Sequence, residues 1–502
     1  MSKVAKAIVI GSGFGGLAAA VRLGARGYDV TICEKLDAPG GRAYVYRQDG
    51  FVFDAGPTIV TAPFLLEELW TLCGRRMADD IDLREMSPYY TIRFDDGSRF
   101  DYSGDDAAMK AEIARFNPDD VEGYERFLEA SANLYSIGFD QLLHVSFDSL
   151  KKMFRVLPDL VRAQFYRSVH GLVARYIKHP KLRMVFSFHP LLVGGNPFST
   201  TAVYALIAQL ERRHGVHFAM GGTGSLVSGL VSLIESQGGK LRCNAAVRRI
   251  LVENDNAVGV ELESGERLAA DIVVSNADSA ATYRYLVPES ARRRWTDRKL
   301  ARARYSMSLF VWYFGTDRQY PDVPHHMMLL GSRYRELLKD IFEHKKLADD
   351  FSLYLHRPTA TDPSLAPAGC DAFYVLSPVP HQDSGINWPD VAERYRQSIA
   401  SVLADAVLPD LDEHVVTSRL LTPLDFERRL FSLKGAAFGL QPILTQTAWF
   451  RPHNRSEDVN GLYLVGAGTH PGAGMPGVIS SAKVLDEIVP DPERNTIGST
   501  GH

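Results

Sequence analysis

Apolar and polar positions follow three regimes along the chain. Residues 5–11 (AKAIVIG) are a short apolar run closed by glycine, which predicts a buried strand. From 15 to 27, small residues and Leu17, Val21 and Leu23 give a helical pattern, with Gly27 as its stop. Residues 29–35 (DVTICEK) predict a second strand. Strand, glycine turn, helix and strand make a βαβ unit, hence a parallel sheet with a right-handed crossover. Segment 104–180 is mainly helical in pattern, with aromatic residues recurring from Tyr124 to Tyr166. Short strands return between 240 and 275. Residues 462–468 (LYLVGAG) predict a further buried strand, then a glycine-rich turn and a helix from about Gly477. The chain therefore leaves the first sheet and returns to it at least twice. Residues 309–315 (LFVWYFG) and 350–356 (DFSLYLH) read as strands of a second sheet, their aromatic side chains either core or the floor of a binding channel.

Composition narrows the classes. With 45% hydrophobic and 23% charged residues over 502 positions, most of the chain is folded. Lys plus Arg is 56 against 60 for Asp plus Glu, a net charge of -4, which argues against a nucleic-acid-coating protein. Cys33, Cys73, Cys243 and Cys370 form no CxxC, so neither a disulfide scaffold nor a zinc-thiolate cluster is expected, and a reducing cytoplasm is the simpler setting. No apolar run reaches transmembrane length. Lys3 and Lys6 before an apolar stretch resemble a secretory signal superficially, but the stretch carries a glycine cluster and continues into a second strand. The polar end, 491–502, is expected to be a disordered tail.

The glycine cluster carries the first chemistry. Gly11, Gly13 and Gly16 stand in the order G-x-G-x-x-G. Gly11 permits the turn after the strand, Gly13 lets a pyrophosphate approach the backbone, and Gly16 lets helix and strand pack closely. Free N–H groups of the helix start face the phosphates, with Phe14 among the first helical residues. Glu34 ends the next strand, where a carboxylate accepts hydrogen bonds from an adenosine ribose and repels a 2′-phosphate. A dinucleotide other than NADP is expected here.

Further motifs resemble a known family. PGGRAYVY at 39–46 is similar to the second glycine motif of amine-oxidase-like flavoproteins, and DAGPT at 54–58 to their flavin-proximal turn. GLYLVGAGTHPGAGMPGVISSAK at 461–483 closely resembles the C-terminal signature of bacterial-type phytoene desaturases, the flavin-dependent carotenoid desaturases. NPDDVEGY at 117–124, LLVGGNPFST at 191–200, GGTGSLVSGL at 221–230 and VSNAD at 274–278 agree with it. The resemblance spans roughly 5–488. It implies FAD, with Gly41 close to the cofactor, Arg42 reaching a phosphate, Gly56 near the flavin and Val247 holding the adenine by its backbone. Gly466, Gly468, Met475 and Gly477 would let the flavin lie against backbone, with the helix start near Gly477 aimed at its carbonyl edge. His470 either faces the flavin or is a packed, hydrogen-bonded histidine.

The implied fold is an α/β Rossmann-like FAD-binding domain interleaved with an α+β substrate domain and a helical membrane-associating region. The FAD-binding parts are 1–80, 218–285 and 455–490, the substrate parts 81–128 and 286–454, and the helical region 129–217. The implied reaction is desaturation of phytoene, by hydride loss to FAD and proton loss, with oxygen or a quinone as electron acceptor. Another flavin oxidoreductase of the superfamily, or a non-enzymatic prenyl-binding escort, are the alternatives.

A long hydrocarbon substrate asks for an apolar tunnel and for an enzyme seated on the bilayer. Lys151, Lys152, Arg155, Arg162, Arg167, Arg175, Lys178, Lys181 and Arg183 lie in a span where Asp159 is the only acid. Apolar residues from Met153 to Val173 interleave with them, an amphipathic surface suited to anionic headgroups on the cytoplasmic side of the membrane. Oligomerisation there is left open. His325 and His326 have no carboxylate at metal-ligand spacing and read as a surface turn, so no metal is expected. No triad or carboxylate pair stands out as a catalytic base.

Overall fold

β1 (Lys6–Ile10) and β2 (Asp29–Cys33) flank helix α1 (Phe14–Ala25), and every residue from Phe14 to Leu23 on that helix is buried. Both faces of this unit are covered, which explains the unbroken apolar run of β1. The computed structural model describes residues 4–147 and 150–492, without the side chains of 150–155. The expected disordered tail therefore lies mostly outside the described residues.

β1 sits in the middle of a five-stranded parallel sheet. Its order is Leu462–Leu464, Ile272–Ser275, β1, β2, Lys240–Arg242. Strands far apart in sequence thus share one sheet, a Rossmann-like architecture interrupted by the rest of the chain. All five run the same way, so their carboxyl ends meet along one edge, where open α/β sheets bind ligands.

The second sheet has seven strands in the order Val415–Leu421, Ser308–Thr316, Asp371–Val379, Leu353–His356, His326–Leu330, Tyr90–Phe94, Arg99–Tyr102. Its pairs are antiparallel except Tyr90–Phe94 with His326–Leu330. Period-two alternation sorts its side chains. Phe310, Trp312 and Phe314 pack with Trp388, Tyr395 and Ile399 of the helix Trp388–Ala406. Leu309, Val311 and Tyr313 face the opposite way, into the largest core. The three aromatics are core, not channel floor, each worth about 1.5–3 kcal/mol of burial.

Among its described residues, segment 104–180 is mainly helical as expected, but its chemistry differs in two respects. Val169, Leu172 and Val173 are buried in the main core and cannot form a membrane face. Acids from elsewhere also enter: Lys178 pairs with Asp119 and Lys181 with Asp96, so the basic span is less bare than its sequence. Lys151, Lys152 and Arg155, with Met153 and Phe154, lie outside the described side chains. Among the described residues no helix is long and apolar enough to cross a membrane. His325 and His326 are not in a surface turn. Both are buried, and His326 opens the strand His326–Leu330 inside the second sheet.

Candidate active site

The parallel sheet builds a cradle at its carboxyl edge. Gly11 follows β1 with φ +87°, and its N–H donates to the Cys33 carbonyl at 2.9 Å. Gly13 caps α1, and a Cβ there would lie 2.9 Å from Asn276 Nδ2. A Cβ on Gly16 would sit 2.1 Å from the Gly11 carbonyl, so this glycine serves turn–helix packing rather than the ligand. Gly41 (φ +57°) lies against Gly13, and Gly56 admits no side chain beside the Arg42 carbonyl. Gly11, Gly13, Phe14, Glu34, Gly41, Arg42 and Gly56 all border one cavity of about 620 Å³.

Glu34 is held in place by its neighbours. Its Oε2 accepts from the Ser12 N–H at 2.8 Å and the Ser12 hydroxyl at 2.6 Å, and Oε1 accepts from the Leu36 N–H at 2.8 Å. One lone pair on Oε1 stays free, enough for a ribose hydroxyl. Arg42 donates through Nη2 to Ser432 Oγ at 2.9 Å, while its buried Nε has no partner. Burial lowers its pKa, and nearby Asp278 opposes that shift. An anion at this end would satisfy the orphaned N–H.

The C-terminal signature closes the cradle. Gly466 (φ +94°) follows strand Leu462–Leu464, donates its N–H to Ser481 Oγ at 2.7 Å, and leaves no room for a Cβ beside Asn276 Oδ1. Met475 and Gly477 open the helix Met475–Lys483 on the cavity, and Val247 borders its far end with Glu263. Gly468 stands off the cavity: its carbonyl accepts from Ser279 Oγ, and a Cβ would collide with that serine. Of the two readings of His470, the packed and hydrogen-bonded one is what the structure shows. The residue borders the cavity, donates from Nε2 to the Leu142 carbonyl at 2.7 Å, and packs edge-on to Phe147.

Burial pushes the His470 pKa from 6.5 down to about 3, with Arg451, His144 and His453 adding to the shift and the Leu142 carbonyl opposing it. The folded chain then binds fewer protons than the unfolded one between those values. Stability contributed by this group is complete above pH 6.5 and is lost as pH falls toward 3, at about 1.4 kcal/mol per pH unit. Urea unfolding at pH 7 and pH 5 should show that loss in the wild type, and His470→Asn should flatten it by the same amount.

The other half of the cavity is apolar. Leu157, Leu160, Phe188, Leu309, Val311 and Met328 are among its walls, with Tyr354 and Tyr374. Glu211 borders the same cavity. Glu211 is 1% exposed, accepts from the Tyr90 hydroxyl at 2.7 Å, and meets His189 Nε2 at 3.0 Å. Burial first, then the Glu211 charge, drives the Tyr90 phenol well above its ordinary pKa, so it remains a donor.

Asn276, Asp278 and Glu211 were not singled out from sequence. Asn276 follows the strand Ile272–Ser275 of the same parallel sheet, so its loop had to fall at the same edge. Glu211 follows Leu206, Ile207 and Leu210 on one helix face, an acid on an apolar stripe. Both signals were legible but lacked a partner in sequence.

The model of the family described as flavin containing amine oxidoreductase matches residues 14–484. A neurosporene-forming phytoene desaturase of Cereibacter sphaeroides is 49% identical over 97% of this chain and 95% of its own. A lycopene-forming phytoene desaturase of Paracoccus sp. is 49% identical over 96% and 97%. Among solved structures, cyclohexylamine oxidase from Brevibacterium oxydans IH-35A shares the fold at TM-score 0.62 and 16% identity, covering 98% of this chain and 99% of that one. The chain belongs to the flavin containing amine oxidoreductases and, within them, to the bacterial-type phytoene desaturases.

Proposed function

We propose that the protein is an FAD-dependent desaturase that converts phytoene to more conjugated carotenoids of the lycopene type. The observation that carries this reading is one continuous cavity, with a dinucleotide cradle at one end and an apolar channel at the other. The bound FAD would supply the hydride acceptor, held by the Gly11–Gly16 turn, Glu34, Arg42 and the Gly466–Gly477 segment. The chain's own residues do the rest. Apolar walls align the polyene and exclude water, so no nucleophile competes for an electron-poor carbon. Glu211 is placed to stabilise positive charge that develops on the substrate and to take the proton from the neighbouring carbon. Tyr90 and His189 fix its carboxylate in the required position. Relatives at equal identity are named for different products, so the number of double bonds introduced does not track overall similarity.

The finer reading concerns access. Leu444 and Phe450 border the cavity and are 40% and 44% exposed, and helix Leu150–Arg162 places Val156, Leu157 and Leu160 on the same cavity. Val161 and Tyr166 are exposed beside them, and Arg162 points to solvent. Apolar tips with a nearby cation suit a mouth resting on an anionic bilayer, from which a hydrocarbon transfers without crossing water. Oxygen or a membrane quinone would take the electrons.

Incubation with FAD and phytoene-loaded liposomes tests both parts. Coloured, conjugated product should accumulate, faster on anionic than on zwitterionic vesicles. A flavin-loaded protein that leaves phytoene colourless would defeat the reaction; equal rates on both vesicle types would defeat the membrane reading alone.

A further inference from the structure

We infer that His325, His326 and His356 form a binding site for a divalent first-row transition ion of the zinc class. His326 opens one strand and stands directly opposite His356, the last residue of Leu353–His356, in antiparallel register. His325 precedes it, and the three ring centroids lie 4.4, 4.8 and 5.2 Å apart. One nitrogen from each ring lies within 4.8 Å of the others, and all three residues are buried.

The outer hydrogen bonds aim the rings. His325 Nδ1 meets Thr361 Oγ1 at 2.6 Å, and His326 Nδ1 meets the Tyr354 hydroxyl at 2.7 Å. This leaves Nε2 of both residues, and both nitrogens of His356, buried without a partner. Histidines that hold metals use one nitrogen for the ion and anchor the other in this way. A single Lewis acid would satisfy three orphaned lone pairs together, each costly to leave unmade in a dry interior.

The geometry needs little adjustment. An ion central to nitrogens this far apart lies at most about 2.8 Å from each, so reaching the 2.0–2.1 Å of a zinc–imidazole bond moves each ring by less than ~1 Å. A set of three imidazoles and no carboxylate selects zinc-like ions over calcium or magnesium, with water in the fourth position. The Arg357 guanidinium near His325 faces Asp371 at 3.7 Å, which offsets its charge. The ion would tie two strands together behind Tyr354, whose hydroxyl also lies 3.4 Å from Thr58 Oγ1 at the cavity wall. This inference does not depend on the proposed reaction.

The test uses the full-length flavoprotein. Protein equilibrated with zinc and dialysed should retain about one ion per chain, melt at a higher temperature than chelator-treated protein, and give tetrahedral visible bands with cobalt(II). His356→Ala should lose the ion while keeping its FAD. Wild-type protein that holds no zinc and shows no cobalt bands overturns the inference, as does equal retention by His356→Ala. If that variant does not fold, the wild-type cobalt spectrum decides.

Discussion

Glu211→Gln is expected to lower the turnover of phytoene by about 10²-fold or more while leaving FAD content and substrate affinity unchanged. A hundredfold loss corresponds to about 2.7 kcal/mol of transition-state stabilisation, within reach of one removed carboxylate in a dry site. Gln is nearly the same size. Its carbonyl can still accept from Tyr90, and its amide can donate to His189, so the local packing survives. Ala would leave both partners unpaired at about 1–3 kcal/mol each, confusing stability with chemistry. The informative measurement is kcat set against KM with FAD content determined in parallel. Wild-type kcat in Glu211→Gln would remove this residue from the mechanism and leave the desaturase reading standing.

The second large effect concerns the cradle. Gly13→Val should reduce bound FAD at least about tenfold, because a bulky side chain fills the space through which a pyrophosphate must approach the backbone. Gly13 has φ -69°, which valine tolerates, so backbone strain is not the cause. The cause is room: even a Cβ would press within 2.9 Å of Asn276 Nδ2. Far-UV circular dichroism should stay close to wild type, and the yellow flavin spectrum should vanish. Gly16→Ala separates the two roles of the motif. Its Cβ would meet the Gly11 carbonyl at 2.1 Å, so that variant should lose stability first. Stoichiometric FAD in Gly13→Val would show that the cofactor lies elsewhere.

The zinc-class site and the Glu211 site share one lesson. Neither has a local motif. His326 and His356 become neighbours only because two strands pair in one register, and a shift of a single residue would turn them to opposite faces. Glu211 becomes a candidate base only when helix Leu206–His214 packs its acid toward a cavity formed by other segments.

Local chemistry was enough for the nucleotide half. A turn between strand and helix demands glycine wherever a backbone must bend left-handed or pass close to another, so Gly11, Gly13 and Gly16 announce themselves at short range. Glu34 sits at a spacing dictated by the length of one helix and one strand. The place of 461–483 in the same cradle came from its resemblance to the family signature, not from its glycines alone, since Gly468 packs on Ser279 and Gly477 on the Gly472 carbonyl. What the linear pattern could not settle was direction and depth. It marked Val169, Leu172 and Val173 as a membrane face, His325 and His326 as a surface turn, and the aromatics of 309–315 as equally channel or core. Periodicity tells which residues share a face, but the partner of that face is chosen by segments tens or hundreds of residues away. Only packing buried those residues, and only packing left Arg42 Nε, Glu211 and three imidazoles with capacity to bind.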